Sequence, residues 1–233
     1  MKILLTNDDG VLAPGLEALR RVAADLGQCV VFAPSEAVSG CSHSTTTDRP
    51  FRVEEIDGGR YSVSGTPADC VRVAIHRLNP PLDWVFSGIN NGGNLGVDVY
   101  HSGTVAAVRE AAIHGVPGIA VSQYHDRPLL AGDWERAVEW SRPLVAEIMG
   151  RSAAPGTFWN INLPCLEAGA PLPEVVYCPL DPSPLPLSFV LDSVTVRYDG
   201  RYRGRLRKPG SDVDVCFGGR ISISQITVME SSR

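Results

Sequence analysis

The sequence predicts an α/β fold with a mostly parallel sheet, followed by an antiparallel β arm towards the C-terminal end. Three observations support this prediction: short apolar runs, apolar residues at helical spacing between them, and a change in composition after residue 163. The runs have the length and composition of strands buried in a parallel sheet. They lie at residues 3–5, 29–33, 84–86, 117–122 and 158–163.

The first βαβ unit and a β-hairpin are marked by local signals. Pro14 suits the first turn of a helix, apolar residues recur at helical spacing over residues 16–26, and Gly27 supplies a stop. Residues 51–56 and 60–64 flank a Gly-rich turn, which predicts a hairpin. No G-x-G-x-x-G fingerprint follows the first strand, so this unit does not predict a dinucleotide site.

Three further helices and two further strands are expected along the chain. The first helix is expected to begin at Thr66, a candidate N-cap that is followed by proline. A second helix is expected at residues 105–115, and Asp133 is expected to cap a third. Residues 194–207 and 220–228 are expected to be antiparallel strands of the arm.

Prolines become frequent after the last core strand, and the helical pattern ends there. We therefore assign residues 1–163 to the core. Residues 164–233 are assigned to a Pro-rich segment and β-hairpin arm, which we expect to belong to the same domain and to supply oligomer contacts.

Composition and charge argue against several classes of partner. The formal net charge is −5 without a long basic run, so we expect no nucleic acid polymer as partner. No apolar run reaches the length of a transmembrane helix, so we expect no membrane partner. The first predicted strand begins at residue 2, which leaves no room for a signal peptide. We expect a cytoplasmic protein.

Two adjacent carboxylates follow the first strand. Asp8 and Asp9 lie at the carboxyl end of a predicted central strand, where ligands of open α/β sheets bind. Two ionised carboxylates at close distance are costly unless a cation compensates them, and a hard divalent metal is the natural partner. The alternative is that Asp8 caps the next helix and Asp9 is solvated.

Two further loops and a helix start complete the candidate site. The Ser/Gly-rich loop at residues 39–44 can offer hydroxyls and amides to a metal or an anion, although a plain surface loop is the alternative. Residues 87–96 are rich in Gly and Asn, which let the backbone approach a ligand. Residues 102–104 open a helix, and helix N-termini bind anions. Together these signals predict a metal-assisted site for a phosphate-bearing ligand.

Five motifs in order make the chain resemble a known family. NDDGVLAPG, VSGCSHS, GTPADC, SGINNGGNLG and HSGTVAAVREAA closely resemble the survival-protein SurE family of nucleotidases. The resemblance is dense over residues 1–122, resumes at FWNINLP and is faint at SDVDVCFGGRISIS. It implies a three-layer Rossmann-like core and a divalent cation. It also implies hydrolysis of nucleoside 5′- or 3′-monophosphates, and of short polyphosphate in some members, by a homodimer or homotetramer.

The resemblance also implies roles for individual residues. The expected ligands of one divalent cation per subunit are Asp8, Asp9, Ser39 and Asn90. The cation is expected to be Mg²⁺ or Mn²⁺, with Ca²⁺ as a substitute in a crystal, because all these ligands are oxygens. Asp8 or Asp9 would also act as base or nucleophile. Expected substrate and phosphate contacts are Asn7, Gly40, His43, Asn94, Ser102, Gly103 and Thr104.

The sequence departs from the family pattern at a few positions. Ser35, Val97 and His101 stand where the family commonly has Asp, Asp and Tyr. None of the three is an expected ligand, so the departures affect substrate preference rather than the chemistry. The C-terminal arm is shorter than usual, which puts in doubt the family's exchange of C-terminal segments between subunits.

Alternative assignments fit the sequence less well. A haloacid-dehalogenase-type phosphatase has one residue between its two aspartates and needs a Lys after a later strand. Here Asp8 and Asp9 are adjacent, and no Lys occurs between Lys2 and Lys208. A receiver-like signalling module needs an Asp after the third strand, where Ser87 stands. The alternative of a non-catalytic nucleotide-binding protein is compatible with the sequence.

A local excess of arginine marks the predicted arm. Strand alternation would place four arginines on one face, namely Arg201, Arg203, Arg205 and Arg207. One interpretation is a solvated edge strand that its charges protect from aggregation. The other is an arm that packs on a second subunit and steers anionic substrate towards the site.

Overall fold

The five core strands predicted from sequence all lie in one large sheet. A computed structural model describes residues 1–130, 132–151, 154–167 and 169–228. Its nine-stranded main sheet has the order β3-β4-β2-β1-β5-β6-β7-β11-β8. The strands are β1 (Lys2–Thr6), β2 (Gln28–Pro34), β3 (Val53–Asp57), β4 (Arg60–Val63), β5 (Trp84–Asn91), β6 (Gly118–Gln123), β7 (Thr157–Leu163), β8 (Val175–Tyr177) and β11 (Ile221–Thr227).

Parallel pairing dominates the sheet and places β1 near its middle. Neighbours from β4 to β7 are all parallel, whereas β3 with β4 and β11 with β7 are antiparallel. The carboxyl ends of β1, β2, β5 and β6 therefore meet at one edge, where ligands bind in sheets of this kind. The predicted α/β class with a mostly parallel sheet is confirmed.

Helices cover both faces of the sheet. They are α1 (Pro14–Ala23), α2 (Pro67–Arg77), α3 (Gly103–Ile113), α4 (Asp133–Met149) and α5 (Asp212–Phe217). Side chains of α1 and α4 pack with Ile3 and Leu5 in one apolar cluster, whereas those of α2 and α3 pack with Leu4 in another. Because neighbouring strand residues point to opposite faces, this alternation along β1 creates the three layers. No helix in the described part of the chain is long and apolar enough to span a membrane.

Several predicted boundaries are wrong. Residues 87–91 were expected in a loop but continue β5, because Asn90 and Asn91 pair with β6 beyond an irregularity. Asp133 is not the N-cap of α4: Gly132 is, and the Asp133 carboxylate instead binds Arg127 and Arg136. In contrast, the Thr66 cap of α2 is confirmed as a full capping box.

The C-terminal part of the chain differs most from the prediction. Residues 220–228 were expected in the arm, but β11 lies in the main sheet, where its alternating Ile and Ser residues are buried on both faces. Of residues 194–207, only β10 (Val196–Tyr198) is a strand, paired with β9 (Phe189–Leu191). Two short 3₁₀ helices lie at Gly96–Tyr100 and Tyr202–Gly204. The domain division after residue 163 stays a prediction.

The small β9-β10 sheet presents apolar side chains to solvent. Phe189, Leu191, Val194 and Val196 are each at least half exposed. Exposed apolar patches of this kind mark interaction surfaces. The homodimer or homotetramer expected from sequence stays a prediction, as does the cytoplasmic location.

Candidate active site

Asp8 lies buried where β1 meets the start of α3. The residue is 4% exposed, and its Oδ1 accepts a hydrogen bond from the Thr104 hydroxyl. Gly103 lies so close that a Cβ on it would be 2.8 Å from the Asp8 Cβ and 3.0 Å from the Cys41 Sγ. Only glycine therefore lets the helix start approach the carboxylate. The geometry joins Asp8, Gly103 and Thr104, three residues that the sequence predicted for one site.

Asp9 is linked to the end of β5. Its Oδ2 accepts a hydrogen bond from the Asn91 amide at 3.1 Å. The neighbouring Asn90 donates its side-chain Nδ2 to the Gly92 carbonyl at 2.8 Å, so its amide oxygen is the atom that can ligate a cation. The structure thus places Asn90 one residue from a direct contact of Asp9, because β5 extends further than the sequence predicted.

The loop after β2 brings Ser39 and Gly40 to the same edge. The Val38 amide donates to the main-chain carbonyl of Asp8 at 2.8 Å, and both Ser39 and Gly40 are solvent-exposed. Further along the loop, the Ser42 hydroxyl donates to the Tyr100 carbonyl at 2.6 Å. The loop is therefore fixed at two points, the Asp8 carbonyl and the Tyr100 carbonyl.

Asn94 is held by hydrogen bonds that the sequence analysis did not anticipate. Its Nδ2 donates to the Ser122 hydroxyl at 2.8 Å, and its main-chain amide donates to Asn162 Oδ1 at 2.7 Å. Its carbonyl accepts from Asn160 and Asn162, at 2.8 and 3.0 Å. The alternating N-I-N of β7 was the available signal for these supports, since residues two apart share a face.

Two more predicted residues shape the backbone around the site. The Ser102 hydroxyl accepts from the Val105 amide at 3.0 Å and caps α3. Asn7 Nδ2 donates to the Gly10 carbonyl at 2.9 Å, and its buried Oδ1 has no hydrogen-bond partner among the described residues. Asn7 therefore shapes the turn that carries Asp8 and Asp9.

His43 is not gathered with the carboxylate pair. Its Nε2 lies 2.8 Å from Oε2 of Glu110, a buried residue of α3 that also contacts His114 at 3.1 Å. Glu110 follows Gly103 by seven residues, roughly 10 Å along a helix. Burial raises the Glu110 pKa, but hydrogen bonds from the two histidines outweigh burial and lower it overall. His43 thus anchors the loop to α3.

The negative charge of the carboxylate pair is not balanced by a positively charged side chain among the described residues. The pKa of Asp8 is raised to about 6, chiefly by burial and to a smaller extent by the charge of Asp9, and the hydrogen bond from Thr104 offsets only part of this increase. Burial also raises the pKa of Asp9, against a hydrogen bond from Asn91. Within the described ranges, the salt bridges involve neither carboxylate.

This donor set fits a hard divalent cation. The described residues contain no group of three or more His, Cys, Asp or Glu side chains that could hold a metal. A cation at the pair would thus take two carboxylates and neutral oxygens, which suits Mg²⁺ or Mn²⁺ better than zinc. The buried negative charge without a cationic side chain is what such an ion would compensate.

Comparisons with known proteins identify the family. The family model described as "Survival protein SurE" matches residues 3–180. The chain belongs to the SurE family. A SurE protein of known crystal structure, from Aquifex aeolicus, superposes with a TM-score of 0.85 at 30% identity, covering 99% of this chain and 95% of that chain.

Relatives of this SurE chain include proteins described as nucleotidases. A putative 5′-nucleotidase of Nostoc sp. is 47% identical over 98% of this chain and 100% of its own length. A 5′-nucleotidase SurE of Allorhizobium ampelinum is 39% identical over 97% of this chain and 91% of its own length. Membership of the SurE family replaces the haloacid-dehalogenase-type and receiver-like alternatives.

The raised pKa of Asp8 predicts that this carboxylate destabilises the metal-free SurE fold. Because the folded-state pKa of about 6 exceeds the ordinary value of 3.8, ionisation opposes folding. The cost grows as pH rises from about 4 to about 6 and is complete above that. Asp8→Asn should therefore raise the free energy of unfolding at pH 7.5 by about 1–3 kcal/mol, with little change at pH 4.

Urea denaturation in the presence of EDTA measures this difference. The control is Asp25→Asn, which removes an exposed carboxylate between α1 and β2 and should leave stability within about 0.5 kcal/mol. An Asp8→Asn protein no more stable than the wild type at pH 7.5 would show that Asp8 is compensated within the chain.

Proposed function

We propose that this protein is a divalent-metal-dependent nucleotidase that hydrolyses nucleoside 5′-monophosphates, and 3′-monophosphates, to nucleoside and phosphate. Relatives at 39% and 45% identity are named 5′-nucleotidase SurE, which supports the activity. The observation that carries the proposal is the buried Asp8 carboxylate, uncompensated by any described cation and held against the start of α3 by Thr104. A phosphate-bearing substrate needs this combination of a cation site and an anion site.

The chain offers oxygen ligands from three neighbouring segments. Asp8 and Asp9 at the end of β1, Ser39 from the next loop and Asn90 from β5 would hold one Mg²⁺ or Mn²⁺ per subunit. Such a cation, when bound, supplies a Lewis acid that stabilises negative charge on the phosphoryl oxygens. The hydrogen bonds of Val38 to Asp8 and of Asn91 to Asp9 fix the backbone from which these ligands project.

The start of α3 would bind the phosphate. The first amides of a helix have no partner within the helix and point towards an anion, and the helix dipole favours negative charge there. Gly103 and Thr104 would provide these amides, whereas the Ser102 amide donates to the Asp98 carbonyl. Ser102 would contribute through its place at the helix cap, and Asn94 from the preceding loop would be a second contact. One of the two aspartates would accept the proton of the attacking water. The Thr104 hydroxyl connects the phosphate end to Asp8.

A turnover assay with added metal tests the proposed function. Phosphate release from a nucleoside 5′-monophosphate should require Mg²⁺ or Mn²⁺ and should stop with EDTA. Asp8→Asn and Asp9→Asn should each lower kcat/KM by about a hundredfold or more, because each removes a negative ligand at constant volume. Asp25→Asn should keep the wild-type rate.

Two outcomes would contradict this function. Near-native rates in both aspartate variants would show that the site is wrongly assigned. Rates that are insensitive to EDTA would show that the activity does not need a metal. A wild-type protein that binds the nucleotide without turnover would instead be the non-catalytic nucleotide-binding protein.

Thr104 tests the link between the carboxylate pair and the phosphate site. Thr104→Val removes the hydroxyl that donates to Asp8 while keeping the shape of the side chain. It should cost about 1–3 kcal/mol of transition-state binding, the range for hydrogen bonds to charged groups. Thr104→Ser retains the hydroxyl and should stay close to the wild type. Equal kcat/KM values for Thr104→Val and Thr104→Ser would exclude this role of the hydroxyl.

A further inference from the structure

Arg205 is a buried cation in a segment that was expected to be an exposed strand. Its side chain is 0% exposed, and its Nη1 lies 2.8 Å from Oδ2 of Asp98. The predicted strand face of four arginines does not exist, since residues 202–204 form a 3₁₀ helix and Arg205 is buried. Arg203 binds Asp126 and Arg207 lies 3.9 Å from Asp214. The role of this segment in steering substrate or packing on a second subunit stays a prediction.

The burial of Arg205 is expensive for the fold. Its Nε and Nη2 are buried without a hydrogen-bond partner among the described residues. Moving a guanidinium out of water costs several kcal/mol, and an ion pair offsets this cost only when its geometry is good. A buried ion pair is therefore weak evidence that Arg205 serves only to stabilise the fold. Tyr202 completes the cluster: its hydroxyl donates to Asp98 Oδ2 at 2.5 Å, and its ring lies 5.2 Å from the guanidinium carbon.

These residues hold the segment between the two proposed phosphate contacts. Residues 95–102 connect Asn94 to the first residue of α3. The Asp98 carboxylate binds Tyr202 and Arg205, while its carbonyl accepts from the Ser102 amide at 3.0 Å. We call the described residues after β7 the C-terminal segment. Asp98 therefore joins the C-terminal segment to the cap of α3.

A second contact fixes the same segment. The Gly96 amide donates to Oδ2 of Asp212 at 2.7 Å. Gly96 has a φ of +55°, and a Cβ there would lie 2.7 Å from the Asp181 carbonyl oxygen. The C-terminal segment thus packs directly on the backbone that follows Asn94. We call Tyr202, Arg205 and Asp212 the C-terminal clasp.

We propose that Tyr202 and Arg205 are positioning residues that act through Asp98 to set the separation of Asn94 from the start of α3. Phosphate affinity then depends on a part of the chain that follows the core strand β7 and contributes no proposed ligand. This inference rests on the proposed function for the identity of the phosphate contacts, but not on turnover. We expect the C-terminal clasp to affect the binding of phosphate in the ground state. The reason is that the clasp orders groups that contact the phosphate before the reaction.

Tyr202→Phe is the least disruptive test, since it removes only the hydroxyl that binds Asp98. The KM for a nucleoside 5′-monophosphate and the inhibition constant of inorganic phosphate with Mg²⁺ should both rise about five- to tenfold. The kcat should change by less than about twofold, as expected for a loss of uniform binding. Tyr198→Phe is the matched control, because the Tyr198 hydroxyl donates to the Pro186 carbonyl away from Asp98. It should leave both constants unchanged.

A double-mutant cycle separates positioning from general stability. Asp98→Asn combined with Tyr202→Phe should weaken phosphate inhibition no more than the larger single change, because both act on one contact. Arg205→Lys, which keeps the charge, should retain more phosphate affinity than Arg205→Met. A Tyr202→Phe protein with a lower Tm but unchanged KM and phosphate inhibition would overturn the proposal.

Calorimetric titration with inorganic phosphate keeps this test independent of catalysis. If the wild type binds phosphate but does not hydrolyse nucleotides, the proposed function fails while weaker binding by Tyr202→Phe still supports the clasp. If turnover is confirmed and Tyr202→Phe binds phosphate as the wild type does, the clasp fails alone.

Discussion

Two adjacent carboxylates at the middle of a parallel sheet are the constraint on which the site depends. Asp8 is buried and Asp9 lies beside it, so the pair carries negative charge in a place where water cannot fully stabilise it. Three elements each reach the pair by one hydrogen bond: α3 through Thr104, β5 through Asn91, and the loop after β2 through Val38. The fold fixes the carboxylates without neutralising them, which prepares a site for a cation.

The proposed phosphate contacts are supported by residues from the other half of the chain. Asn94 is held by side chains of β6 and β7, and the backbone after it is held by the C-terminal segment. The proposed cation ligands therefore come from the first βαβ units, whereas the supports of the proposed phosphate contacts come from later in the sequence. We therefore expect the N-terminal motifs alone to be insufficient to build the site.

The spacing of apolar residues predicted the central strands and helices, because the apolar face of each element is determined by residues within a single segment of the chain. The capping box at Thr66 and the carboxylates after β1 belong to the same class of signal. The wrong predictions concern residues whose structure depends on partners far away in the sequence. Arg205 looks like a surface residue until Asp98, 107 residues away, is known to pair with it. Likewise, Asn90 has the sequence context of a loop residue, and only its pairing with β6 shows that it continues a strand.

Direct titration of Mn²⁺ tests the central claim that the carboxylate pair is a cation site. Electron paramagnetic resonance at pH 7.5, without nucleotide, should detect one bound Mn²⁺ per chain in the wild type. Asp8→Asn should weaken this binding by about a hundredfold or more, beyond the ten- to hundredfold cost of losing a supporting group. A wild-type protein that leaves Mn²⁺ in solution, or an Asp8→Asn protein with wild-type affinity, would contradict the account.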